Sequence, residues 1–344
     1  MTRHESAPTA TSTLVGNRWI LCRHRCPMRV VSLLPSATEL LAAIGGEHLL
    51  VGRSHECDWP PTLADRPVLT GQRTTATTSA EIDRQVREAL QSKSEDAGAD
   101  QSLYHLDADL LRDLKPDVIL TQDLCEVCSI DLNTVRGIAA TMKPEPVIVS
   151  LNPKSLDDLF DDLLQVGEAV GMPDEAHETM LALRERMWVA REHANAYVEG
   201  PEIAFLEWMD PLFIGGHWTP QLIEYAGGRH SLNAPGSKSR QISAEELLAL
   251  MPDRVVICPC GYDIKQTVRE LNTLTEQRWW KLLPAVQDDQ VVIVDGNQMF
   301  NRPGPRLIDA LEWLSGWIND RPELIPLDFP VRPATQRSDL PNSP

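Results

Sequence analysis

The chain has 344 residues, 42% hydrophobic and 24% charged, with a formal net charge of -18. That length and apolar share allow two domains with substantial cores and exclude a disordered chain. The acidic balance, without clusters of Lys and Arg, excludes nucleic acid as a partner and works against an anionic membrane surface.

Residues 1–27 read as an unstructured leader. They offer only Trp19-Ile20-Leu21-Cys22 as an apolar run, too short for a signal peptide, and no small residues precede Cys22 as a lipoprotein attachment would require. Met28 stands directly before the first strand as an alternative start to Met1. With either start the sequence predicts a cytoplasmic protein with no membrane insertion.

Residues 28–153 form a first α/β lobe. Val30-Val31-Ser32-Leu33-Leu34 is a strand, and Ser36-Ala37-Thr38-Glu39 has the pattern of a capping box opening a helix that stops at Gly45-Gly46. Short strands at Leu49–Gly52 and Pro67–Thr70 follow, the first leading to His55-Glu56-Cys57-Asp58. The pattern predicts a helix over Ala80–Leu90 and a flexible loop over Ser92–Gln101. A leucine-rich helix then runs through Leu110-Leu111-Arg112-Asp113-Leu114 to Lys115-Pro116-Asp117, the strand Val118-Ile119-Leu120, and the pair Cys125 and Cys128. Val147-Ile148-Val149 closes the lobe.

Residues 154–198 carry no strand pattern and form a helical connector, broken into two helices at Gly171-Met172-Pro173. Residues 199–320 repeat the first lobe. Ile203-Ala204-Phe205-Leu206 is its first strand, Thr219-Pro220 reads as cap and first turn of a helix ending at Gly227-Gly228, and Ser243-Ala244-Glu245-Glu246 caps a second leucine helix. That helix runs into Met251-Pro252-Asp253, the strand Val255-Val256-Ile257, and Cys258 and Cys260. Val291–Val294 is the closing strand, an amphipathic helix follows Pro305, and residues 321–344 read as a flexible tail.

A leucine helix stopped by proline and followed by a buried strand occurs once in each half. Ligands of open α/β sheets bind beyond the carboxyl ends of strands, so the two lobes should share one cleft.

The run Arg29-Val30-Val31-Ser32-Leu33-Leu34-Pro35-Ser36-Ala37-Thr38-Glu39, the Leu-Lys-Pro-Asp before a strand, and Arg302-Pro303-Gly304-Pro305-Arg306 before the last helix resemble one family. It is the helical-backbone substrate-binding proteins of cobalamin and iron-siderophore import, and the opening is most like the cobalamin-binding members. The resemblance covers roughly Met28 to Ile318. It implies a class III periplasmic-binding-protein-like fold: two Rossmann-like lobes with central parallel sheets joined by a long helical connector. It also implies a non-enzymatic protein that grips cobalamin, another corrinoid or a related metal macrocycle between its lobes, with an ABC transporter permease as partner. Asp109 and Glu245, near the starts of the two leucine helices, match the places of the family's permease-docking acids. Their other reading is that acids suit the first turn of a helix.

Several residues are candidates for the cleft. His55 and His217 follow strands and could ligate cobalt or iron, or be solvated loop residues. Trp208, Trp218, Tyr262 and Phe300 could wall a flat ring, or fill the core. Ser36, Thr38, Gln122 and Asn301 could bind peripheral amides. Glu207 belongs to a potential acidic set with Asp210, Glu56 and Asp123, and Arg302, with Arg306, could grip an anionic ligand group. Cys57, Cys125, Cys128, Cys258 and Cys260 could hold zinc or an iron-sulfur cluster, which would make the chain a metal or redox protein, or be reduced thiols packed at turns. No nucleophile-elbow, Walker or dinucleotide pattern is present, so hydrolysis and nucleotide binding have no support.

Overall fold

The computed structural model describes residues 27–73, 76, 78–95, 104–123, 130–194 and 197–334, apart from the side chains of 89–95. In the first lobe, β1 (Val30–Ser32), β2 (Leu50–Arg53), β5 (Val118–Gln122) and β6 (Val147–Leu151) form a parallel sheet in the order β2-β1-β5-β6. β3 (Thr70–Gln72) and β4 (Tyr104–Leu106) make a separate antiparallel pair beside it. In the second lobe, β7 (Ile203–Met209), β10 (Arg254–Ile257) and β11 (Val291–Val294) are parallel. β8 (Leu212–Ile214) and β9 (Arg240–Gln241) extend that sheet antiparallel on one side, and β12 (Val331–Pro333) on the other.

The duplicated leucine helices, Ala108–Leu114 and Ala244–Leu250, stop by the same device. Each C-cap is left-handed, Lys115 at φ 44° and Met251 at φ 50°, and the next residue is proline, which bars its predecessor from the helical region. The aspartate after each proline then fastens the neighbouring strand. Asp117 accepts the Arg29 backbone N–H at 2.8 Å, and Asp253 accepts that of Glu202 at 2.7 Å. Asp107 caps the first helix, and Ser243 with Glu246 forms a complete capping box on the second.

The connector is a helical hairpin. Helix Leu156–Val170 ends at Gly171 in the left-handed region, and helix Pro173–Glu192 turns back against it. A Cβ on Gly167 would lie 2.3 Å from the Ala176 Cβ, so the two helices cross at a small-on-small contact. The second helix also packs on the last helix of the chain, Arg306–Ile318. One apolar core runs without interruption from Val30 and Leu40 of the first lobe, through Leu163 and Met187 of the connector, to Phe205 and Leu311 of the second. The outer faces of the two sheets have smaller cores of their own.

Four local expectations change. Helix Pro35–Ala43 begins at Pro35 with Leu34 as an N-cap that makes no side-chain bond, because Ser36 and Glu39 are inside the protein rather than free to close a capping box. Thr219 is the first residue of helix Thr219–Tyr225, after Trp218, rather than its cap. Helix Ser79–Glu95 continues past Leu90 into the expected loop, of which 96–101 lies outside the described residues. The expected tail is also structured as far as Ala334: Phe329 stacks on Trp313 at 5.0 Å and β12 pairs with β11, so burial at a sheet edge orders a proline-rich segment.

Candidate functional site

Ligands of open α/β sheets bind beyond the carboxyl ends of the strands, which places the candidate cleft at the ends of β1, β2 and β5 in one lobe and of β7, β10 and β11 in the other. Its first-lobe wall is built around His55. The His55 backbone N–H donates to Thr70 Oγ1 at 3.0 Å, and ring Nδ1 lies 2.7 Å from the same oxygen. With the Thr70 hydroxyl donating to Ser54 Oγ at 3.0 Å, Nδ1 carries the ring proton and donates to Thr70. Nε2 is thereby left as a bare lone pair, buried and without a hydrogen-bond partner among the described residues. Burial, ahead of the opposing charge of Glu56, lowers the His55 pKa below its ordinary value and keeps the ring neutral. The space beside it, about 10 Å³, is lined by Leu33, Ser54, Glu56, Thr70, Tyr104 and Ile130. Tyr104 stands 5.4 Å from the His55 ring and donates its hydroxyl to Glu56 Oε1 at 3.0 Å.

The second-lobe wall carries Glu207, Trp208, His217 and Tyr262. Glu207 accepts from Ser239 Oγ at 2.6 Å, while burial raises its pKa. Trp208 and Tyr262 meet edge to face at 5.3 Å. His217, at φ 54°, is half-buried with Nδ1 unpartnered among the described residues. Burial first, and then the charges of Lys238 and Lys154, lower its pKa. Gln122 ends β5 at the cleft, half-buried.

Other candidates are spent inside the protein. Ser36 is buried, and Thr38 Oγ1 lies 2.9 Å from Ser32 Oγ and 3.0 Å from Cys57 Sγ, bracing the turn after β1. Trp218 donates its indole N–H to the Phe300 carbonyl at 2.6 Å. Phe300 fills the core between Phe205 and Trp313, the more apolar of its two expected roles. Asn301 ties together the Cys258 and Gly296 carbonyls.

Arg302 and Arg306 are not free to grip an anion, because both converge on Glu39 of the first lobe. Arg302 Nη1 reaches Glu39 Oε1 at 3.2 Å and Asp58 Oδ1 at 2.6 Å, while Arg306 donates to Glu39 Oε2 at 3.0 Å and Oε1 at 2.5 Å. Glu39 has 0% exposure, so this is an ionic lock between the lobes at the cleft floor. Asp58 is pulled below the ordinary aspartate range by Arg302 in spite of its burial. Sequence reasoning missed Glu39 as a lock partner; the available signal was a lone carboxylate in an otherwise apolar helix.

The expected cysteine cluster does not form among the described residues. Cys57 and Cys258 are separately buried, each is raised by burial toward the neutral thiol (Cys57 to about 11), and Cys260 is exposed. No three His, Cys, Asp or Glu side chains gather there to hold a metal ion. These residues do not fit zinc or an iron-sulfur cluster, which need thiolates converging on one point. Cys125 and Cys128 lie outside the described residues. No described helix is long and apolar enough to cross a membrane.

Two lobes, a helical backbone and a shared cleft agree with comparison to known proteins. The periplasmic binding protein family profile matches residues 30–297. The chain belongs to that family. Its curated relatives include the vitamin B12-binding protein of Vibrio cholerae serotype O1, 23% identical over 83% of this chain and 86% of that one. The vitamin B12-binding protein of Photorhabdus laumondii is 25% identical over 86% and 90%. Among solved structures, the periplasmic vitamin B12 binding protein of Vibrio cholerae superposes with a TM-score of 0.60 at 20% identity, covering 86% of this chain and 98% of that one. The periplasmic heme-binding protein of Roseiflexus sp. RS-1 gives 0.64 at 21%, with the same coverage. The fold is theirs, and the family is one of binding proteins, not enzymes. In the second lobe only the central β11-β10-β7 of the six-stranded sheet is parallel.

Proposed function

We propose that this protein captures a metal macrocycle of the corrinoid class between its lobes. The observation that carries the reading is His55: a neutral ring pinned at Nδ1 by Thr70, with a buried, unpartnered Nε2 at the carboxyl end of the first-lobe sheet. An imidazole oriented by its second nitrogen is prepared to ligate cobalt or iron. The name of the vitamin B12-binding relative supports a corrinoid, and that of the heme-binding one supports a metal macrocycle in the broader sense. Asp109 and Glu245 occupy equivalent, exposed first-turn positions on the duplicated helices, as a pair of permease-docking acids would. A cytoplasmic location, the sequence expectation, would make the protein a carrier rather than an import receptor, and cell fractionation decides between the two.

Cobinamide, whose cobalt has exchangeable axial positions, tests the His55 assignment. Binding should shift its visible absorption spectrum, and His55→Ala should bind without the shift. An identical shift in the variant would remove His55 from the metal.

A further inference from the structure

A helix that belongs to the first lobe is held at its first residue by the second. Helix Ser79–Glu95 lies between β3 and β4 of the first lobe. The Ser79 backbone N–H donates to Glu270 Oε2 of the second lobe at 3.1 Å, and its hydroxyl donates to the same oxygen. Its carbonyl accepts the Trp208 indole N–H at 3.3 Å. The other oxygen of Glu270 accepts the Tyr262 hydroxyl at 3.0 Å. Ser79 is 1% exposed, so water does not compete for these bonds.

Seen from the second lobe, Ser79 fills a fixed donor and a fixed acceptor beside an aromatic wall. The Trp208 N–H can only donate and the Glu270 carboxylate can only accept. A carboxamide is the complement of that pair, since it carries a carbonyl for the indole and N–H groups for the carboxylate. A carboxylate would meet Glu270 with like charge, and an ammonium group would leave Trp208 without an acceptor.

We propose that Trp208, Tyr262 and Glu270 form a carboxamide subsite, which Ser79 occupies as a built-in stand-in until the ligand's own amide displaces it. The inference rests on the cleft being the macrocycle site, and it selects within that class: a ring whose rim carries carboxamides is preferred to one carrying carboxylates. Because the ligand must displace Ser79, its apparent affinity is reduced by the fraction of molecules in which the subsite is free.

Ser79→Pro removes both donors to Glu270 and keeps the helix, because proline is tolerated at the first helical position. In full-length protein labelled with nitrogen-15, the Trp208 indole signal, assigned by its loss in Trp208→Phe, should respond to acetamide more strongly in Ser79→Pro than in the parent. It should not respond to acetate. Adding Glu270→Ala to Ser79→Pro should abolish the response. Cobinamide should bind Ser79→Pro about tenfold more tightly than the parent, the loss of hydrogen bonds to a charged group being converted into a larger free fraction. Ser79→Ala, which removes the hydroxyl alone, should give a smaller gain and stands in if the proline variant does not fold. Equal responses to acetamide and acetate, or none to either, overturn the subsite. Unchanged or weaker cobinamide binding in both Ser79 variants overturns displacement. If acetamide acts as expected while neither cobinamide nor hemin binds any variant, the subsite stands and the macrocycle reading fails.

Discussion

Replacing Glu39 with glutamine tests whether the two lobes are locked at the cleft floor. Glu39 is fully buried and takes three charge-assisted contacts, at 3.2, 3.0 and 2.5 Å, from two arginines of the other lobe. Among the described residues, Arg302 would keep Asp58, Asn297 and the Glu56 carbonyl, whereas Arg306 would keep only Gln298 Oε1 and the face of Trp59, 5.1 Å away. The loss therefore falls mainly on Arg306. Removing one partner of a buried ion pair costs about 3–5 kcal/mol, and the amide oxygen that remains to accept one bond places Glu39→Gln near the low end, about 3 kcal/mol. Against a total stability of roughly 5–15 kcal/mol, that is large. Urea unfolding followed by tryptophan fluorescence should show the midpoint falling with the slope unchanged. Glu39→Leu combined with Arg306→Met should recover most of the loss, because an apolar pair of similar volume strands no charge. A Glu39→Gln change smaller than about 0.5 kcal/mol, the range of ordinary surface substitutions, would refute the lock.

Two further stability changes follow from single positions. Burial, with Asp158 and Asp161 adding like charge, pushes Asp162 up to about 7 from the ordinary 3.8, and its Oδ2 is buried without a partner among the described residues. Between those two values the folded chain holds a proton that the unfolded chain has lost, so stability falls as pH rises through the window. Asp162→Asn should therefore stabilise by about 2–4 kcal/mol at pH 8 and by almost nothing at about pH 4, read from urea midpoints at both pH values. An equal effect at the two would sink the assignment. Gly167→Ala puts a methyl 2.3 Å from the Ala176 Cβ and 2.9 Å from the Met172 carbonyl oxygen. It should cost about 1–3 kcal/mol by overpacking; an unchanged thermal midpoint would show that the hairpin gives way freely.

What the sequence made legible was whatever is decided within a few residues. Leu-Lys-Pro-Asp and Leu-Met-Pro-Asp end their helices through a left-handed cap and a proline that each motif carries itself, so the duplication could be read directly, while the strand partners of Asp117 and Asp253 lie 88 and 51 positions away. Ser36 to Glu39 has the same kind of local pattern, yet it does not form a capping box. Its glutamate is taken by Arg302, 263 positions away, and no local rule contains that partner. The tail misled for a related reason: proline and polar composition describe residues 321–334 alone, while their order comes from the β11 edge and the Trp313 ring. At the site, His55 was visible as a polar residue after a strand, but its tautomer depends on Thr70 and Ser54. The aromatics could be placed at the level of the cleft but not divided between core and wall. Burial makes that division, sending Trp218 and Phe300 inward and leaving Trp208 half-exposed.

The distribution of contacts between the lobes also decides how a ligand enters. At the floor, a continuous apolar core and a buried carboxylate between two arginines join the lobes, and opening there would expose unpaired charge. At the mouth, the lobes are joined by the first residue of one helix through a handful of hydrogen bonds, whereas Asn297 and Asp58, 2.8 Å apart, both bond Arg302 and belong to the floor. Hydrogen bonds exchange with water or ligand at a net cost of about 1 kcal/mol each, whereas the floor costs several times that. The space at His55, about 10 Å³, is far below the roughly 300–1,000 Å³ of ligand pockets, so something must move before a macrocycle fits. The cheaper motion is release of Ser79 from Trp208 and Glu270, with the floor intact. Entry by that route leaves the Glu39 lock as the fixed reference that keeps His55 and the second-lobe wall in register while the mouth opens.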